Sequence, residues 1–387
     1  MAASASTAHR TRVLVLYGGQ SSEHPVSCVT AAGVLRAIDT EQFEVIPVGI
    51  TRAGQWTIPA VDPLDHSFDG GAAPEVQPTD STVVLHRRFP GEAGSWPELL
   101  QITGDDATPL GPVDVVLPLL HGPFGEDGTL QGFLEVVGVP YVGAGVLSSA
   151  VSMDKHFMKL AFDAAGLRVG PYQVITPEQW RRDPQRCLDA LSAMTFPLFV
   201  KPARGGSSVG ITCVDAPEEL PEAIAEARSH DPKLVVEEAI PGREVECAVL
   251  GSLNGDAPRA SLVGEIVVDE ASKEHQFYDF HAKYTDGDAA ELWCPAELPP
   301  QVSDEIRRQA VRAFEAVSGE GITRADFFWN PDAPTVEDSV VINEVNTMPG
   351  FTPISMYPKL WEATGIGYTE LITDLLHLAL ERPLGLR

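Results

Sequence analysis

Three times along this chain, an apolar run of strand length empties into a loop of glycines and polar or charged residues. Residues 12–17 (RVLVLY) run into Gly18-Gly19 and then Glu23. Residues 113–119 (VDVVLPL) run into His121, Gly122 and a pair of carboxylates, and residues 197–200 into Lys201 and Gly205-Gly206-Ser207-Ser208. Short apolar runs bounded in this way read as strands. Loops at strand ends are where open α/β sheets bind ligands. After the first loop, residues 25–38 carry apolar side chains at helical spacing, and residues 44–50 (EVIPVGI) form a further run. Strand, turn, helix, strand predicts a parallel α/β unit.

At 387 residues the chain exceeds what one hydrophobic core normally organises, so two or three domains are expected. A net charge of −28 argues against nucleic acid or an anionic membrane surface as partner. An acidic protein that handles phosphates must gather its cations locally. The five cysteines are scattered without a C-x-x-C pair, the pattern of reduced thiols. Residues 1–12 lack the apolar segment of a secretory signal, and no run of about twenty apolar residues occurs, so a cytoplasmic location is expected.

The pattern divides the chain into three α/β units: 1–147, 148–240 and 241–387. Within the first, residues 51–111 are rich in Pro, Gly and polar residues, with one strand candidate at 82–86, and read as a surface excursion with a small hairpin. In the second, residues 154–165 are helical with Gly166 placed as a C-cap. In the third, strands are expected at 244–250, 260–268, 326–329 and 340–344, and an amphipathic helix at 303–317.

Four clusters carry the chemistry. Glu23 lies at a helix start; it is either a ligand contact or a carboxylate complementing the helix dipole. His121 opens a loop with four glycines; it is either a site residue or a hydrogen-bonded loop histidine. Lys201 leads into a loop whose amides and hydroxyls, Ser207 and Ser208 included, could wrap a polyphosphate, although no Walker A pattern is present. A plain glycine hairpin is the alternative. Asp326, Glu344 and Asn346 lie on two strands, and Glu344 and Asn346, two apart, face the same way. Carboxylates within apolar strands are seldom buried without a partner or a metal, and hard oxygen ligands suit Mg²⁺. A solvated face is the alternative.

With these pieces in hand, the sequence resembles the ATP-grasp enzymes and, within them, the D-alanine–D-alanine ligase family. The matching segments run in order: GGQSSEHPVS, LLHGPFGEDGTLQG, MDK at 153–155, VKPARGGSSVG, VEEAIPGREVE, FYDFHAKY, RADFFW and INEVNTMPGFTPISMYP. Only the 51–111 excursion falls outside them. The resemblance implies an ATP-grasp fold of three α/β domains with a Rossmann-like N-terminal domain, and a lid loop at 269–295. It also implies ligation of two D-alanines through an acyl phosphate, with ATP and two Mg²⁺ (or Mn²⁺) ions, for peptidoglycan precursors.

Residue by residue, the resemblance places Glu23, with Ser27 beside it, at the ammonium of the first D-alanine, and His121 in the substrate pocket. Lys155 and Lys201 contact the ATP phosphates, with Ser208 in the same loop. Glu237 and Glu244 contact adenine and ribose, and the backbone from Glu238 to Ile240 edges the base. Lys283 reaches the transferred phosphoryl group, and Tyr284 closes onto Ser207 and Glu23. Arg324 and the Gly350 amide are oxyanion donors. Asp326, Glu344 and Asn346 hold the metal ions, and Ser355 and the Met356 amide cradle the second carboxylate. The intact Lys283-Tyr284 pair favours dipeptide over D-lactate ester synthesis. A homodimer is expected.

Overall fold

The first unit is built on the run that opens the sequence. In the computed structural model, which describes residues 10–68, 73–87, 96–252, 255–268 and 290–383, that run is β1 (Thr11–Gly18). It is followed by α1 (His24–Ala37), β2 (Phe43–Ile50) and the short β3 (Trp56–Thr57). Beyond these come β4 (Ser81–Arg87), β5 (Pro97–Thr103), β6 (Asp106–Pro112), β7 (Val115–Pro118) and α2 (Thr129–Val137). β1 pairs in parallel with β2 on one side and β7 on the other, giving the order β3-β2-β1-β7. Val13 to Tyr17 are completely buried, as a central parallel strand covered on both faces must be.

The 51–111 stretch differs from expectation. It contains a complete three-stranded antiparallel sheet, β4-β5-β6. This is more than a surface hairpin, because Val83, Leu85 and Leu99 join one core with Leu14, Leu16, Val116 and Leu134. β4 shows the alternation of a half-buried strand, and its candidate was visible. β5 and β6 were hidden by Pro97, Pro109, Pro112 and Gly111, which sit at strand ends, at an irregular register near Leu99 and Leu100, or on the exposed β6 edge. Those are the places where a sheet tolerates such residues.

The second unit contains α3 (Val146–Met153), α4 (Lys155–Ala164), β8 (Tyr172–Ile175), α5 (Pro177–Arg182) and α6 (Pro184–Ser192). It continues with β9 (Leu198–Pro202), β10 (Thr212–Val214), α7 (Leu220–His230) and β11 (Leu234–Glu238). The sheet order is β10-β9-β11-β8, antiparallel throughout. Asp154 caps α4 by accepting from the amides of His156 and Phe157. Gly166 follows the helix at a φ of 70°.

The third unit has β12 (Arg243–Leu250), β13 (Arg259–Val268), β14 (Ala290–Trp293), α8 (Pro300–Ala316) and β15 (Ile322–Trp329). It ends with α9 (Val336–Ser339), β16 (Val340–Asn346), α10 (Met356–Thr364) and α11 (Tyr368–Glu381). Its antiparallel sheet runs β14-β13-β12-β15-β16. One face packs on Ile306, Ala310 and Phe314 of α8. The other shares a core with the first unit, in which Tyr357, Trp361 and Leu371 meet Val13, Tyr17 and Cys28. That shared core holds the glycine loops of the first unit over the strand ends of the third.

Candidate active site

A cavity of about 1480 Å³ lies where the three units meet. Every expected site residue among those described lines it, with one exception, Ser27. Lys283 and Tyr284, like residues 269–289 of the expected lid, lie outside the described residues.

Glu23 occupies the N-cap of α1, yet its side chain makes no capping hydrogen bond. Instead its Oε1 accepts a hydrogen bond from the Ser207 hydroxyl. The carboxylate is wedged between two loops. A Cβ added at Gly206 would meet Glu23 Oε2 at 3.0 Å, and one at Gly122 would meet it at 3.1 Å. A side chain at either position would press on the carboxylate, which would have to give by a few tenths of an ångström. Ser207 and Ser208 take successive left-handed conformations, with φ of 48° and 59°. The loop does connect the antiparallel neighbours β9 and β10, as a plain hairpin would. It is also clamped from α4: the Lys155 amide donates to Ala203 O at 2.9 Å and the Lys155 ammonium to Gly205 O at 2.7 Å.

Ser27 is turned away from the cavity. Its hydroxyl is fully buried, accepts the Gly18 amide at 2.7 Å and donates to Leu119 O. It ties the end of β1 to the segment after β7.

His121 is buried and shares its Nδ1 proton with Met348 O at 3.0 Å. A carbonyl only accepts, so this bond fixes Nδ1 as the protonated nitrogen. Burial pushes the imidazole below its ordinary pKa, against the opposing pull of Glu23. Among the described residues Nε2 has no partner. The loop-histidine alternative is therefore half true, because one nitrogen is structural and the other belongs to the cavity.

Glu126 was not singled out from the sequence, although it stood in a strand-end loop with other carboxylates. It accepts the Gly122 amide at 2.8 Å and the Met348 amide at 2.9 Å, joining the first unit to the loop that carries Gly350. Burial, reinforced by the neighbouring Glu23 charge, raises its carboxyl to about 8. A folded-state value above the unfolded one favours folding most at low pH. The benefit is fully present below the unfolded value of about 4.3 and lost as pH rises toward 8. Glu126→Gln, which cannot ionise, should flatten the decline of stability across that window in denaturant titrations. An unchanged slope would show that Glu126 is ordinary.

A second wall is cationic. Lys201, from β9, places its ammonium 2.6 Å from Glu237 Oε2. Lys155 stands 3.8 Å from Glu344. A third lysine, Lys159, is buried and sits 2.8 Å from Glu237 Oε1. Burial alone would raise the Glu237 carboxyl, but Lys201 and then Lys159 hold it down to about 2. Sequence reasoning passed over Lys159; the available signal was a lysine within the apolar stripe of α4, next to Met158 and near Phe162. Glu238 accepts the Thr195 amide at 2.9 Å, and Glu238 and Ile240 both line the cavity. Glu244 lies on the same wall.

The third wall is acidic. Asp326 stands opposite Glu344 across β15 and β16, and opposite Glu246 across β15 and β12. Arg324 grips Asp326 with two hydrogen bonds of 2.7 Å each, its Nε also lies 3.1 Å from Glu246, and Asn346 donates to Asp326 at 2.9 Å. Arg324 and Asp326, given separate roles on the sequence, hold each other. At the far end, Ser355 and Met356 open α10, whose N-terminus favours a carboxylate. The Ser355 hydroxyl accepts the Thr352 amide at 3.1 Å.

Antiparallel sheets of the second and third units closing on a cavity with lysines on one wall and carboxylates on the other define an ATP-grasp fold, and the solved structures it resembles agree. The D-Ala:D-Ser ligase VanG of Enterococcus faecalis matches with a TM-score of 0.77 at 33% identity, over 96% of this chain and 100% of that one. The D-alanine–D-alanine ligase of Coxiella burnetii matches with a TM-score of 0.73 at 35% identity, over 97% and 95%. In sequence, the D-alanine–D-alanine ligase of Pseudarthrobacter chlorophenolicus is 54% identical over 98% of this chain and 96% of its own. That of Streptomyces avermitilis is 49% identical over 98% and 96%. Residues 12–144 match the family description "D-ala D-ala ligase N-terminus" and residues 161–377 "D-ala D-ala ligase C-terminus". The chain belongs to the D-alanine–D-alanine ligase family. Among the described residues no helix is long and apolar enough to cross a membrane.

Proposed function

We propose that this chain joins two D-alanines, at the expense of ATP, into D-alanyl-D-alanine for peptidoglycan precursors in the cytoplasm. The observation that carries this reading is the Glu23–Ser207 hydrogen bond. It puts a buried carboxylate suited to a substrate ammonium into the same cavity as Lys155, Lys201 and the Asp326, Glu344 and Asn346 set.

The residues divide the work. Glu23 takes the ammonium of the first D-alanine, and the neutral Nε2 of His121 accepts at the same end. Lys155 and Lys201 gather the phosphates; Glu237, Glu244 and the Glu238–Ile240 backbone receive the nucleoside, with Ser208 in the phosphate loop. The first carboxylate attacks the terminal phosphorus, ADP leaves, and an acyl phosphate forms. The amine of the second D-alanine, its carboxylate held at Ser355 and the Met356 amide, attacks that carbonyl. Arg324 and the Gly350 amide donate to the developing oxyanion, and phosphate departs. Lys283 and Tyr284 are proposed to complete the site from the lid, which keeps water from the acyl phosphate.

Asp326, Glu344 and Asn346 fit divalent cations by the hardness of their oxygens. Among the described residues no three His, Cys, Asp or Glu side chains form a ready-made metal centre. Two carboxylates and one amide leave positions on such an ion for phosphate oxygens. Two Mg²⁺ or Mn²⁺ ions held there would neutralise phosphate charge. A homodimer belongs to this reading, with the exposed apolar side chains Phe133 and Val136 on α2 and Val146 and Leu147 on α3 as the candidate contact.

The test is phosphate release with ATP and Mg²⁺ in the presence of D-alanine, D-serine, D-lactate or L-alanine, with products identified by mass. D-alanine alone should give release and the dipeptide, and L-alanine none. Release that does not depend on any D-substrate would reject ligation. Release only when D-serine or D-lactate accompanies D-alanine would move the chain to a different second substrate.

A further inference from the structure

Lys159 does not line the cavity, and it is only 2% exposed. A lysine buried to this degree needs a reason, because ammonium desolvation is costly without a partner. Its partner is Glu237 Oε1 at 2.8 Å, with Asn343 O at 3.5 Å and the Tyr172 ring 5.8 Å from Nζ. The other oxygen of Glu237 faces Lys201. Lys201 lines the cavity and, on the function proposed above, serves the nucleotide phosphates. Once it turns to them, Lys159 is the cation that remains with Glu237.

The protonation state of Glu237 decides what it can recognise. An ionised carboxylate only accepts hydrogen bonds, whereas a protonated one also donates. Adenine presents an amino donor where guanine presents a carbonyl acceptor. A buried acceptor-only group facing that edge favours adenine and leaves guanine with two opposed acceptors. Unpaired buried polar groups of this kind are what give hydrogen-bonding sites their largest discrimination.

We propose that Lys159 is a positioning residue that sets the choice of nucleotide base, by holding Glu237 oriented and acceptor-only while Lys201 is engaged with phosphate. The inference rests on the reading of Glu237 as the base contact, and the two are separable by experiment.

The measurement is kcat/KM for ATP and for GTP in D-alanine-dependent phosphate release, with wild type, Lys159→Met, Lys159→Arg and Glu237→Gln. Lys159→Met should lower the ATP-to-GTP preference by at least about tenfold, with the KM for D-alanine changed by less than about twofold, and Lys159→Arg should restore most of the preference. A merely structural lysine would lower both nucleotides equally, and that result overturns the proposal. If Glu237→Gln also leaves the preference unchanged, Glu237 is not the base contact and the underlying reading fails. If Glu237→Gln shifts the preference while Lys159→Met does not, only the role of Lys159 fails. Should Lys159→Met not fold, Lys159→Gln is measured instead. A lowered ATP-to-GTP preference supports the proposal, and an unchanged one overturns it.

Discussion

Glu344→Gln is expected to cut kcat by roughly 100-fold or more while nucleotide binding changes little. The substitution keeps size and shape at the β16 position facing Asp326, and removes one anionic oxygen. If Glu344 holds divalent cation, the Mg²⁺ dependence of the rate should move to higher concentration, and excess Mg²⁺ should recover part of the loss. The nearby Lys155, 3.8 Å away, offers a competing explanation, since Glu344 could merely orient that lysine. The two separate cleanly. Loss through Lys155 would raise the KM for ATP and leave the Mg²⁺ midpoint in place. Full activity in excess chelator would reject a metal role for all three residues.

Arg324→Met should cost a comparable factor, roughly 100- to 1000-fold in kcat, the size seen when one oxyanion donor is removed. An interaction made only in the transition state lowers kcat and kcat/KM together and spares KM. Arg324 also joins Asp326 and Glu246. Its removal leaves two carboxylates facing each other across β12 and β15 without their shared cation. The variant should therefore lose stability as well, and thermal unfolding must accompany the kinetics. Arg324→Lys keeps a positive charge but not the two-pronged grip. If it recovers stability and not kcat, the guanidinium acts on the reacting carbonyl. If it recovers both, Arg324 is chiefly an ion-pair residue, and the Gly350 amide would have to carry the oxyanion alone.

The pieces of the site were legible in the sequence because they are local. A lysine ending an apolar run, paired glycines after a strand, and carboxylate and amide two residues apart on a strand each declare a direction or a close approach within a few residues. The face shared by Glu344 and Asn346 follows from strand geometry alone. The same locality explains β4, whose alternation was readable, and β5 and β6, whose prolines and glycine concealed theirs.

What was not local could not be read. Glu23 and Ser207 lie 184 positions apart, and their hydrogen bond exists only because the shared core of the first and third units brings their loops together. Ser27, four residues after Glu23, lies one helical turn on and faces the strand ends, where burial compels its hydroxyl to find the Gly18 amide and Leu119 carbonyl. The grip of Arg324 on Asp326, the bridge of Glu126 to Met348 and the burial of Lys159 against Glu237 depend on strand register and on side chains arriving from another unit. The sequence by itself determined which chemical groups stand at the ends of which strands and helices. Tertiary structure decided which of them face the cavity, which face one another, and which carboxyls are charged, because each of these depends on distances between segments far apart in the chain.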